Sequence, residues 1–178
     1  MSASADEYLP VAWAAKFRRQ AFRVWGLTLF AVLLWVGLIL AAPILKANGS
    51  SAVADIIYRA FGFLCHQIDS RSFHIDGERL AVCTRCFGVY AGLAAGIAFY
   101  PLIRRVDDIE PLPKLWLLLS VVPAAIDWSL TIFGIWENTA VSRTLTGAIL
   151  GIGCGIYIVP AVVEIARNLG YRRRVSAK

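Results

Sequence analysis

Long uncharged apolar runs alternate along the chain with short charged connectors. Residues 24–45 make a run of 22 without an ion, 86–103 one of 18, and 144–163 one of 20. A fourth run of 22, residues 115–136, is broken only by Asp127. About 20 apolar residues of helix cross a bilayer core. The pattern therefore predicts four transmembrane helices, over about 24–45, 84–103, 115–136 and 144–163, and an all-α integral membrane bundle. Spans and connectors consume nearly all of 1–178, so the chain reads as a single membrane domain. Any chemistry must come from the helices and the one long connection, about 46–82.

That connection has a pattern of its own. Asn48-Gly49-Ser50-Ser51 reads as a break followed by an N-cap. Val53, Ile56, Ile57, Ala60, Phe61 and Leu64 then recur at helical spacing, with Asp55 and Arg59 paired on the other face. An extra amphipathic helix ending near Cys65 is predicted, lying on the membrane surface or packing on the bundle. Residues 69–79 are polar and read as irregular. Within the spans, Gly88, Gly92 and Gly96 form one ladder and Gly147, Gly151 and Gly155 another. Ladders of this kind let helix backbones approach closely. They can pack on each other within one chain or support a homodimer.

Composition and charge fix the setting. With 58% apolar residues, 17% charged and a mean hydropathy of +0.64, the chain is neither disordered nor an ordinary soluble domain. With the N-terminus placed in the cytosol, twelve of the 18 Lys and Arg fall on the cytosolic side. Six acids join them there, Asp6 and Glu7 included, so that side carries the whole net charge of +6. The positive-inside rule then predicts cytosolic termini and two extracytoplasmic connections, about 46–82 and 135–143. The first run is longer than the roughly 7–15 residues of a signal-peptide core, and Pro43 stands where a cleavage motif belongs, so it reads as a retained anchor. Arg172, Arg173, Arg174 and Lys178 fit topology and anionic lipid. The lipid bilayer is thus the expected partner, and nucleic acid is not.

Chemistry-bearing residues gather in or at the edge of the long outer connection: Cys65, Cys83, Cys86, His66 and His74. Cys83-Thr84-Arg85-Cys86 sets two sulfurs at i and i+3 on a helix start, where unpaired N–H groups, the helix dipole and Arg85 favour thiolate. That arrangement suits a tetrahedral metal or a reversible disulfide. Cys65, Cys83, Cys86 and one histidine make a Cys₃His set fit for zinc. Cys65 and His66 are adjacent, so both reach one ion only where the helix has already ended. A Cys65–Cys83 disulfide would close a loop worth about 3 kcal/mol, but it leaves an odd outer cysteine. Cys154, in mid-span beside Gly155, reads as packing.

Asp127 is the other anomaly, because a carboxylate inside a span costs about 2.5–3.5 kcal/mol and is usually paired or functional. It sits about 10 Å below the outer end of its helix, from the helical rise. Ser120, Pro123, Asp127, Thr131 and Gly134 form a polar and small stripe. Arg143 opens the fourth span from the same side, and two readings stand side by side: a structural Asp127–Arg143 clamp, or a carboxylate with a functional role. Asp127, Arg71, Arg85 and Arg143 can then share one outer pocket with the sulfurs, a combination typical of reactive or anion-binding sites.

Cys65-His66-Gln67, Arg71-Ser72-Phe73 and Cys83-x-Arg85-Cys86-x-Gly88-x-Tyr90-x-Gly92 resemble the signature of a prokaryotic family of predicted integral membrane proteins of unknown function. The likeness continues through Asp127, Glu137-Asn138, Arg143, Thr146 and Gly147, over roughly residues 55–160. The resemblance implies a compact helical protein of a prokaryotic cytoplasmic membrane, and it ranks His66 above His74. Trp128-Ser129-Leu130-Thr131 departs from the family pattern after Asp127. The function expected is a multi-pass protein with an extracytoplasmic Cys/His metal site, zinc as the cofactor, beside an Asp/Arg pocket. An open metal position would permit chemistry on a lipid or envelope substrate. The alternatives are a membrane thiol-disulfide oxidoreductase using Cys83 and Cys86, and a non-catalytic assembly or transport component.

Overall fold

A computed structural model describes residues 11–110 and 112–175. Asp6, Glu7 and Lys178 lie outside the described residues, as do the side chains of Arg172, Arg173 and Arg174. The element order is α1 (Val11–Ala47), α2 (Ser51–Gly62), β1 (His74–Ile75), β2 (Glu78–Arg79), α3 (Thr84–Ile103), α4 (Lys114–Ile132) and α5 (Ala140–Val175). Among the described residues, α1, α3, α4 and α5 are long and apolar enough to cross a membrane. The molecule is an all-α membrane bundle with α2 as a fifth, shorter helix.

Two helices outrun their apolar stretches. Helix α1 has 37 residues, about 55 Å at the helical rise, and α5 has 36. Lys and Arg are good helix formers, so the charges that end a hydrophobic run mark where lipid ends, not where the helix does. Helix α4 stops early, at Ile132, before the predicted limit of 136. Gly134 takes φ +65° and the Ile135 N–H turns back to the Leu130 carbonyl at 3.0 Å, a left-handed closure that a glycine without a Cβ accepts freely.

The two glycine ladders mesh within the chain. A Cβ on Gly147 would stand 2.5 Å from the Arg85 carbonyl oxygen, and one on Gly155 2.7 Å from that of Leu93. Gly92 and Gly151 lie equally close against the backbones of Ala148 and Val89. Helices α3 and α5 therefore touch backbone to backbone, and both ladders are used up in that contact. Of the two arrangements expected for the ladders, packing within one chain is the one the fold contains. Helix α1 is tied across this pair by Trp25 Nε1–H donating to the Ile97 carbonyl (2.7 Å) and Gln20 donating to that of Ala166 (3.1 Å). Helix α4 lies outermost, with Leu115, Trp116, Leu118 and Ile132 exposed.

The connection between α1 and α3 is more ordered than the sequence implied. Helix α2 ends at Gly62 and buries Ala54 and Phe61, with the Phe61 ring edge-on to Trp35 at 4.8 Å. The segment read as irregular contains a 3₁₀ turn, Asp69–Arg71, and an antiparallel hairpin pairing His74 with Arg79 and Ile75 with Glu78. Asp76 (φ 52°) and Gly77 (φ 80°) form its two-residue turn, the Asp-Gly chemistry that left-handed hairpin turns favour. A Lys46–Glu78 ion pair (2.8 Å) fastens the hairpin to the end of α1. Ile39, Ala42, Phe61, Leu80, Ala81 and Val82 pack beneath it as a buried cluster that includes Cys65. A second cluster, Ala21, Ile97, Tyr100, Val106, Val159 and Val163, fills the opposite end of the bundle.

Candidate functional site

The site stands at the end of the bundle where α1 and α4 finish and α3 and α5 begin. Because α2 has ended at Gly62, Cys65 lies in the turn beyond it, with its N–H bonded to the Phe61 carbonyl (2.9 Å). Gln67 holds that turn in place. Its amide donates to the Tyr58 and Ala81 carbonyls at 2.6 and 2.9 Å, and its own carbonyl accepts from Arg79. Its backbone takes φ 49°, unusual for a residue with a side chain. Cys83 is the N-cap residue of α3, and Cys86 lies in the first turn.

These placements bring the sulfurs of Cys65, Cys83 and Cys86 within 4.8 Å of one another. A zinc–sulfur bond of about 2.3 Å puts tetrahedral ligands about 3.8 Å apart, so each sulfur–sulfur separation exceeds that of such a site by at most about 1 Å. All four cysteines are free thiols. The Cys83 N–H donates to Cys65 Sγ at 3.2 Å, an interaction that favours a sulfur carrying negative charge. The Cys83 thiol is held down to about 5, chiefly by its hydrogen bond with the Cys86 thiol, with burial opposing and Cys65 assisting. The arrangement can hold a metal ion through three thiolates.

Neither histidine joins this group. His66 is exposed and outside the three-sulfur set. The helix has ended as that ligation required, but the chain turns Cys65 inward and leaves the adjacent ring outside. His74 pairs with Asp69 on the surface at 3.2 Å. Cys154 stays away from the cluster, in the interior of α5.

Beside the sulfurs lies a cavity of about 300 Å³, entered by Arg71, Cys83, Arg85, Asn138 and Arg143 and walled on the α4 side by Trp128, Thr131 and Ile132. Asp127, 9% exposed, is joined to two of these residues, Arg85 and Asn138. Its partner corrects the expectation: Arg85, from the first turn of α3, ion-pairs with Asp127, and Arg143 does not. Asn138 stands between them, donating to Asp127 Oδ2 at 3.0 Å while its own Oδ1 accepts from Arg143 Nε at 2.5 Å. The short loop before α5 inserts this amide and holds Arg143 one residue away from the carboxylate. Arg85 Nε and Thr84 Oγ1 are buried without a partner. Reading the chain alone missed the Asn138 bridge and the Gln67 brace. The signals for both were Glu137-Asn138 and Cys65-His66-Gln67, noted as motifs without a geometry.

A helical membrane protein with a cysteine cluster seated over a buried carboxylate–guanidinium network is the class that fold and site define. The chain belongs to the DUF2085 family of predicted membrane proteins, whose pattern matches residues 65–157. That stretch begins at Cys65 and contains every cluster and cavity residue named above. An uncharacterized protein of Methanocaldococcus jannaschii is 35% identical over 113 residues, 64% of this chain and 72% of that one. Another, of Methanothermobacter thermautotrophicus, is 34% identical over 96 residues, 54% of this chain and 85% of its own length. No solved structure matches the chain.

Proposed function

We propose that the protein is a membrane metalloprotein in which Cys65, Cys83 and Cys86 hold a zinc ion at the extracytoplasmic face. The observation that carries this reading is the approach of three sulfurs from two separate segments to within 4.8 Å. Thiolates are soft ligands that select zinc over the hard cations, and the Cys83 N–H on Cys65 supplies the outer contact that metal thiolates commonly receive. The topology rests on charge, with the excess of Lys and Arg on the side away from the site. Both termini are then cytosolic and 1–178 is one domain of a prokaryotic cytoplasmic membrane, in keeping with the archaeal relatives.

Cys65, Cys83 and Cys86 would hold the ion, and zinc held by three protein ligands would supply an acidified water as nucleophile. Cys83 borders the cavity as well as the cluster, so a substrate held by Arg71, Arg85 and Arg143 would lie next to the cluster. Asp127 orients Arg85 and, through Asn138, Arg143. These four are the residues assigned to the reaction, on a lipid or envelope substrate.

The test is metal analysis of protein purified in detergent without chelator, with free thiols titrated before and after chelation. About one zinc per chain is expected, with three further thiols appearing only on metal removal. A metal-free protein with a reducible Cys83–Cys86 bridge would overturn the reading and support the thiol oxidoreductase instead.

A further inference from the structure

The cavity beside the sulfurs has a charge pattern that specifies a ligand. Three guanidiniums line it, those of Arg71, Arg85 and Arg143. The carboxylate of Asp127 is engaged by one of them, Arg85, and by the Asn138 amide. Among the described residues no carboxylate pairs with Arg71 or Arg143. Arg143 spends only its Nε, on the neutral Asn138 amide, and the Nε of Arg85 is buried without an acceptor. Two positive charges therefore stay uncompensated in a partly enclosed space, with guanidinium forks unused. Guanidiniums bind phosphate through paired parallel N–H bonds and stay charged at every working pH.

We infer that this cavity binds a phosphate monoester, whose dianion matches the two uncompensated charges. The inference rests on the reading above that cavity and sulfur cluster form one site, and it names the substrate class. Trp128 and Ile132, on the outermost helix, are 57% and 58% exposed, so exposed apolar side chains border the cavity beside the guanidiniums. A phosphate carried on an acyl or isoprenoid chain could rest that chain against them, and a soluble phosphate ester would bind without them. The volume of about 300 Å³ accommodates a headgroup and excludes a large polar one.

The test titrates detergent-solubilised full chain with three probes by calorimetry: dioctanoyl phosphatidic acid, dioctanoyl phosphatidylcholine and inorganic phosphate. Zinc is determined on the same samples. Saturable binding of phosphatidic acid is expected, at least tenfold tighter than phosphatidylcholine, whose choline offsets its single negative charge. Arg71→Gln and Arg143→Gln are each expected to weaken it at least fivefold. Arg71 lies in the exposed 3₁₀ turn and makes no ion pair among the described residues, so its variant keeps the test open if the Arg143 variant fails to fold. Inorganic phosphate binding as tightly as phosphatidic acid would support the phosphate site and assign the soluble source. Failure of both phosphate probes to saturate, or variants binding like the parent, would overturn the inference. Zinc-loaded protein that binds no phosphate sinks this inference alone, and phosphate binding by zinc-free protein sinks the metal reading alone.

Discussion

Asp127 survives in a membrane span because its charge is shared. Arg85 neutralises it, and Asn138 donates a second hydrogen bond while accepting one from Arg143. Removing the amide leaves two charged groups short of partners in a poorly hydrated place. Asn138→Ala is therefore expected to cost about 1–3 kcal/mol, read as a lower melting temperature of the detergent-solubilised protein and checked against Asn138→Asp as a second probe of the bridge. The sulfur cluster gives a sharper discrimination. Cys65→Ser is expected to lose most of the bound zinc, whereas His66→Ala, whose ring is exposed and outside the group, should retain at least four-fifths of it. Equal loss in both variants would bring His66 back as the fourth ligand. The types of residue at this site were legible in the chain, because ions and cysteines in an apolar sequence stand out. Their pairing was not: Arg85 and Arg143 both sit near the start of a helix at the same end of the bundle, and choosing between them as partner of Asp127 required knowing where the 134–139 loop places a single amide.

At the level of elements, the α3–α5 contact is the frame on which the site is hung, since one partner carries Cys86 and Arg85 and the other Arg143. Its closeness depends on the absence of side chains at Gly92 and Gly151, each of which faces backbone of the other helix. Gly151→Leu is expected to cost about 3 kcal/mol or more, because the facing carbonyl of Val89 cannot move aside without moving its helix. Gly26→Ala, in open space on α1, should instead be neutral or stabilising by about 0.5–1 kcal/mol. The comparison by thermal melting separates backbone contact from mere helix propensity. The ladders were visible in the sequence as a four-residue period, but a period says only that a face is small. That each ladder is the other's partner depends on α3 and α5 being parallel neighbours, in register from Gly88 against Thr144 to Gly96 against Ile152. The hairpin shows the converse: Asp76-Gly77 was a good turn signal, yet strands of two residues are too short for a period-two pattern to emerge around it.

The whole molecule joins a neutral apolar belt to two unlike ends. One end holds Cys65, Cys83, Cys86 and the guanidinium cavity; the other, past the cluster of Ile97, Tyr100 and Val159, carries Arg104 and Arg105 after α3. Four spans followed from run length alone, since lipid thickness dictates it. The side each end faces follows only from counting cations, and part of that count lies on residues beyond α1 and α5. Orientation therefore calls for a direct measurement. In a Cys154→Ser background, cysteines introduced as His74→Cys on the hairpin and Arg105→Cys on the α3–α4 connection sit at opposite ends, both exposed. A membrane-impermeant maleimide applied to intact cells is expected to label the first above its background and to reach the second only after permeabilisation. The reverse pattern would put sulfurs and cavity in the cytosol. Any substrate would then have to approach from the inner leaflet, and the excess of positive charge would lie outside, against the rule that orients nearly all bundles of this kind.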